Sequence, residues 1–158
     1  MEEQLVHPKI LDSALEEIQK RLETNNGILP KDLKQEDIDT LYQLGFGLYQ
    51  SGEYERAESV FRKIVVAKPL SLKYWKSFAS SLQLAKKHEE ALLPWSMLCI
   101  FDDTEPSYHM RAAECLFSLG NRKKALSALE SAKLRTKKED KEILTEIDFL
   151  TNRWQEDN

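Results

Sequence analysis

Apolar residues recur along this chain at helical spacing, and small residues punctuate them at a second, longer period. Leu11, Leu15, Ile18 and Leu22 fall at 4-3-4 intervals, which predicts an amphipathic helix over residues 9–25. Asn26-Gly27 reads as its C-cap and break, and Asp32-Leu33-Lys34-Gln35 as the capped opening of a short further helix. At the far end Ile143, Ile147, Leu150 and Trp154 repeat the 4-3-4 spacing, behind a capping-box pattern in Thr136-Lys137-Lys138-Glu139. Between these ends, positions recur every 34 residues: Ala57, Ala91 and Ala125; Gly52, Lys86 and Gly120; Leu48, Leu82 and Leu116; Phe61, Trp95 and Leu129; Gly45, Ala79 and Ala113; Leu44, Phe78 and Ala112.

A 34-residue period with small residues at fixed places and large apolar residues between them is the tetratricopeptide pattern. Each repeat is then two antiparallel helices, A and B, whose small residues let them lie close. Gly52 and Gly120 suit the turn between A and B, where positive φ comes cheaply only to glycine. Lys86 replaces that glycine in the middle repeat, and Pro94 falls inside the second helix B, where a kink is expected. The expected fold is all-α: three tandem repeats at 38–71, 72–105 and 106–139 in a short right-handed solenoid. An N-terminal arm over 1–37 and a capping helix over 140–158 flank them.

Charge narrows the partners. The chain of 158 residues carries a formal net charge of −4, and the whole excess lies in residues 1–37, with 9 acidic and 5 basic side chains. No basic stripe is present, which argues against nucleic acid. The N-terminus lacks the basic and apolar regions of a secretory signal, and the longest apolar run, Met97 to Phe101, is too short to span a bilayer. Cys99 and Cys115 form no CxxC pattern and read as reduced, buried small hydrophobes, so a cytosolic protein without membrane insertion is expected.

Catalytic chemistry finds little support. His7, His88 and His109 share no motif. Gly45-Phe46-Gly47 begins like a dinucleotide fingerprint, but Gln50 stands where the third glycine belongs. Asp102, Asp103 and Glu105 read as helix N-terminal acids rather than metal ligands, and His109 as a packing residue in the column of Leu41 and Trp75. No enzyme activity, metal or cofactor is expected.

The first helix A carries a second apolar row beside its packing face: Tyr42, Phe46 and Tyr49, spaced 4 and 3. In stacked repeats helix A lines the concave side, so this row is expected to face a groove and bind. Two bland alternatives stand beside that reading: the N-terminal helix could cover the row, or Tyr42 could be a core residue with a satisfied hydroxyl. The equivalent positions are Lys76, Ser80 and Gln83 in the second repeat and Met110, Glu114 and Phe117 in the third, with Lys73 and Arg111 nearby. Such a surface suits an extended peptide with a few apolar anchors. With Tyr42 and Phe46 in the groove positions of the first repeat, it does not suit a terminal carboxylate. Tyr54, Trp75 and Trp95 read as core.

Two stretches carry a closer resemblance. Tyr42-x-x-x-Phe46-x-x-Tyr49-Gln50-Ser51-Gly52-x-Tyr54-x-x-Ala57-x-x-x-Phe61 resembles the first repeat of the SycD/LcrH-type class II chaperones of bacterial type III secretion. Glu105-Pro106-Ser107-Tyr108-His109-x-x-Ala112-x-Glu114-Cys115-Leu116-x-x-x-Gly120 resembles their third. The likeness runs over nearly the whole chain and is weakest in the middle repeat, at Lys86 and Pro94. It implies a bacterial cytoplasmic chaperone that holds a hydrophobic translocator, or a gatekeeper-type secreted protein, by an extended segment in the groove. Tyr42, Phe46 and Tyr49 match the groove aromatics of that family. The resemblance implies no ATP, and it allows homodimers through the N-terminal helix, here through Leu11, Leu15, Ile18 and Leu22. The alternative is a cytosolic tetratricopeptide scaffold that assembles folded proteins.

Overall fold

A computed structural model describes Lys20 and residues 33–156. Apart from Lys20, the arm with Leu11, Leu15, Ile18 and Leu22, the Asn26-Gly27 break and Asp32 lies outside the described residues. The described residues form seven helices and no strand: α1 (Gln35–Gln50), α2 (Tyr54–Ala67), α3 (Leu72–Leu84), α4 (His88–Phe101), α5 (Pro106–Ser118), α6 (Arg122–Arg135) and α7 (Lys141–Glu156). The chain gathers into two compact units, one ending at Ser77 and one beginning at Phe78, so α3 contributes to both. In the first unit α1 packs on α2. In the second, α5 packs on α4 and α6, and α6 on α7.

No separate short helix follows the expected opening at Asp32–Gln35: Lys34 is the N-cap of α1, Gln35 is its first residue, and α1 runs without a break to Gln50. The Asp37 carboxylate accepts the Lys34 backbone N–H at 3.1 Å, so one orphan donor at this end is satisfied by an acid that also suits the helix dipole.

The A-to-B turns are three copies of one hydrogen-bonded motif. In the first, Gly52 N–H donates to Tyr49 C=O at 3.1 Å and Glu53 N–H to Leu48 C=O at 2.9 Å. The third pairs Gly120 with Phe117 and Asn121 with Leu116, both at 2.9 Å. The middle turn does the same with Lys86 to Gln83 at 3.0 Å and Lys87 to Leu82 at 2.9 Å. These are the paired bonds of a Schellman cap. Gly52 and Gly120 sit at φ +82° and +77°, and Lys86 at +61°. The substitution of glycine by lysine therefore leaves the turn intact and places the strain on Lys86. A left-handed residue with a Cβ costs roughly 1–2 kcal/mol, partly offset by the chain entropy that glycine would lose. We expect Lys86→Gly to stabilise the protein by about 0.5–1 kcal/mol, read as a higher urea midpoint at unchanged m-value.

The small-residue columns do what their size permits. In the first unit, a Cβ on Gly45 would stand 2.7 Å from Cε1 of Phe61 and 2.9 Å from its Cζ, so the α1 backbone lies directly against that ring. Phe61 is buried with Ile38, Leu41, Ala57 and Ile64. In the second unit the corresponding small residues, Ala79 and Ala113, are buried, as are the large residues Trp95 and Leu129. Helix α4 continues through the buried Pro94 from His88 to Phe101.

The end of the second unit departs from expectation in two places. Thr136 does not open the last helix. Its hydroxyl donates to Ala132 C=O at 2.8 Å, finishing α6, and α7 begins only at Lys141. Met110, expected on the groove face, is buried in a cluster with Ala113, Ala125, Leu129, Ala132, Ile147 and Trp154. This face of α5 is covered by the apolar side of α7, which supplies Ile147 and Trp154 to the cluster and packs Ile143 and Leu150 against it. A flexible thioether fills such an irregular junction readily.

Candidate functional site

The first unit builds an aromatic platform around Tyr42. Its ring lies 5.6 Å from Phe61 and 5.7 Å from Tyr74, both tilted, and stacks near-parallel with Phe46 at 6.3 Å. The Lys73 ammonium stands 4.0 Å over the ring, close enough for a cation–π attraction. Tyr42 Oη and Ser77 Oγ share a hydrogen bond at 3.2 Å, and the Ser77 hydroxyl is within 3.1 Å of Lys73 C=O. Tyr42 thus has a satisfied hydroxyl but is half-buried rather than a core residue, and it acts as the base of the row. Phe46, 39% exposed, is the row's open member. Tyr49 is half-buried and meets Tyr54 edge-on at 5.5 Å, so both belong partly to packing.

The second unit holds a different surface. Trp95, 3% exposed, donates its indole N–H to Gln83 Oε1 at 2.9 Å. Gln83 Nε2 donates to Glu114 Oε2 at 2.6 Å. Arg111 Nη1 donates to both carboxylate oxygens of Glu114, at 2.8 and 3.0 Å. Sequence spacing pointed to Gln83, Glu114 and Arg111 but not to their connection, and Trp95 entered only as core. Ser80 is half-buried; Lys76, in the first unit, is exposed. Phe117 stacks on Trp154 of α7 with centroids 4.4 Å apart and planes 7° from parallel, so one of its faces is taken by the chain itself.

The acidic and thiol groups singled out in the sequence have structural surroundings. Asp103 binds Arg135, whose Nη2 donates to Oδ1 at 2.6 Å and whose Nε donates to the Asp103 carbonyl at 2.8 Å. Glu105 caps α5 by accepting the Ser107 N–H at 3.0 Å, and Asp102 accepts from the Thr104 backbone and hydroxyl. Among the described residues, no group of three or more His, Cys, Asp or Glu side chains is placed to hold a metal ion. No described helix is long and apolar enough to cross a membrane. Burial pushes the Cys115 thiol up to about 12, far from the thiolate that nucleophilic chemistry needs.

His109 is largely enclosed. Its Nε2 has no hydrogen-bond partner and stands 3.9 Å from Asp103 Oδ1. Burial, helped by the Arg135 guanidinium and opposed by Asp103, holds His109 below the usual imidazole range. Protonation is then harder in the folded chain than in the unfolded one. The stabilisation is complete above the unfolded pKa of about 6.5 and falls as pH drops through it towards the lower folded value. We expect the urea midpoint to fall between pH 7.5 and pH 5.5, and His109→Leu to flatten that slope.

The sequence and the helix pairs have parallels among known proteins. Residues 72–103 match the tetratricopeptide repeat family. Low calcium response locus protein H of Yersinia pestis is 30% identical over 121 residues, a match spanning 75% of this chain and 72% of that protein. The Yersinia enterocolitica type III secretion translocator chaperone SycD, solved as an alternative dimer, superposes with a TM-score of 0.70 at 27% identity, over 78% of this chain and 96% of its own. SycD in complex with a peptide of the translocator YopD gives a TM-score of 0.70 at 28% identity, again over 78% and 96%. The repeat columns, the helix pairs they form and a relative 30% identical over most of its own length make one case: the chain belongs to the LcrH/SycD family of tetratricopeptide chaperones of type III secretion.

Proposed function

We infer that this protein is a translocator chaperone: it binds an extended segment of a hydrophobic secreted protein and keeps that client soluble until export. The observation that carries the reading is the platform of the first unit. Phe46 is presented open on a Tyr42 ring already held by Phe61, Tyr74 and Lys73, so an apolar anchor meets a surface whose ordering cost has been met during folding. Tyr42, Phe46, Tyr49 and Lys73 form the client surface of the first unit. Ser80, Gln83, Arg111, Glu114 and the half-buried Phe117 form that of the second, and Lys76 belongs with the first. Met110 is excluded from the set by its burial.

The protein works by mass action in the bacterial cytoplasm, binding without catalysis and without ATP. A gatekeeper-type secreted protein is a second client class. Self-association through Leu11, Leu15, Ile18 and Leu22 is proposed from the sequence of the arm. Co-expression tests the main reading: the cognate translocator, insoluble alone, should appear in the soluble fraction as a complex with this chain. A translocator equally insoluble with and without it would refute the chaperone role, and capture of only folded partners would favour a scaffold.

A further inference from the structure

The four-residue chain Trp95–Gln83–Glu114–Arg111 lies within the second unit, and its polarity has one solution. An indole N–H can only donate and a carboxylate can only accept. Gln83 must therefore turn its oxygen to Trp95 and its nitrogen to Glu114, as the distances of 2.9 and 2.6 Å show. A flipped amide would set donor against donor and oxygen against carboxylate. The anchor itself is fixed, because Trp95 is packed in the core at 3% exposure. Glu114 is held from the other side by Arg111 and keeps 24% of its side chain exposed.

Three hydrogen bonds reach the Glu114 carboxylate, whose two oxygens offer about four acceptor sites. An acceptor site therefore remains on Glu114, and the second N–H of the Gln83 amide lies beside it. A donor next to an acceptor, both immobilised, is complementary to the alternating C=O and N–H groups along the edge of an extended peptide. The set contains no apolar pocket of its own, in contrast to the Tyr42–Phe46 platform.

Resting on the chaperone reading above, we infer that Gln83 and Glu114 form a main-chain clamp: they bind the backbone of the client segment rather than its side chains, and Trp95 is the positioning residue that sets the clamp's polarity. Binding by backbone tolerates different client sequences, while the orientation of the amide fixes the direction in which the segment lies.

The test uses full-length protein and a synthetic peptide of the translocator YopD, with affinity measured by calorimetry. The peptide is scanned by single backbone N-methylation, which deletes one N–H at a time. The clamp predicts one position where N-methylation weakens wild-type binding about tenfold or more, the size of one hydrogen bond to a charged acceptor. It also predicts that this loss vanishes in Glu114→Ala, whose affinity is already reduced. Gln83→Leu should weaken the unmodified peptide by a similar factor. Trp95→Phe, which keeps a ring but removes the indole donor, should weaken it severalfold. Because Trp95→Phe also alters the core, its thermal unfolding is measured alongside, and the N-methyl scan with Glu114→Ala decides if that variant fails to fold. Losses that persist unchanged in Glu114→Ala, or full affinity in Gln83→Leu, overturn the clamp while leaving the chaperone reading in place. No binding of the unmodified peptide to the wild type overturns the clamp, whose backbone recognition tolerates different client sequences, while the chaperone reading falls only with the co-expression test.

Discussion

Gly45→Leu should cost this protein about 3 kcal/mol or more and unfold its first unit at urea concentrations the wild type survives. The Cβ alone would stand 2.7 Å from Phe61. Phe61, 1% exposed and packed against Tyr42, has nowhere to retreat. Overpacking of a dense core typically costs 1–3 kcal/mol and more where neighbours cannot relax, against a total stability of roughly 5–15 kcal/mol. The control lies two residues on. Nothing stands within 4 Å of a Cβ at Gly47, an exposed helical position. Gly47→Ala should instead stabilise by about 0.5–1 kcal/mol through helix propensity alone. Urea denaturation of both variants reads the contrast. Equal effects of the two would mean that helix propensity, rather than the fit of α1 onto Phe61, sets the requirement at Gly45.

Phe46→Ala should reduce affinity for a client peptide by roughly 30-fold or more, the mark of a hot-spot aromatic, while the melting temperature moves little. The ring is 39% exposed and stacks on Tyr42 at the surface, so little of the core depends on it. Tyr49→Ala is a poorer probe. It removes the edge-on contact with Tyr54 at 5.5 Å, and such aromatic pairs contribute about 0.5–1.5 kcal/mol. Calorimetry with the YopD peptide, run beside thermal melts, separates the two effects. Unchanged affinity for Phe46→Ala would remove the platform from the binding site.

What could be read along the chain depended on whether the next repeat was present to preserve equivalence. The 34-residue columns located the A–B turns and the Gly45–Phe61 approach, because each of those contacts lies within one helix pair. Extending the same equivalence to the binding face failed at Met110, where the covering partner is α7 and not another helix A. Phe117 is a milder case of the same kind, one face lost to Trp154. Lys86 looked like a departure from the turn and is not one. Two hydrogen bonds hold the residue at positive φ, which shows that packing on either side sets the turn and that glycine merely lowers its cost. The Trp95–Gln83–Glu114 connection was hidden for a different reason: it joins residues 12 and 31 positions apart through side-chain rotamers that no periodicity encodes.

The packing of consecutive helices also bears on time. The strongly packed pairs are consecutive helices: α1 with α2, α4 with α5, α5 with α6 and α6 with α7. Helical proteins whose contacts join neighbouring elements close small loops on the way to the native state and fold faster than those that depend on distant pairings. Synthesis proceeds at about 5–20 residues per second, so each helix pair can close while the next is still being translated. A holder built this way can assemble its packed pairs one after another while it is still being made.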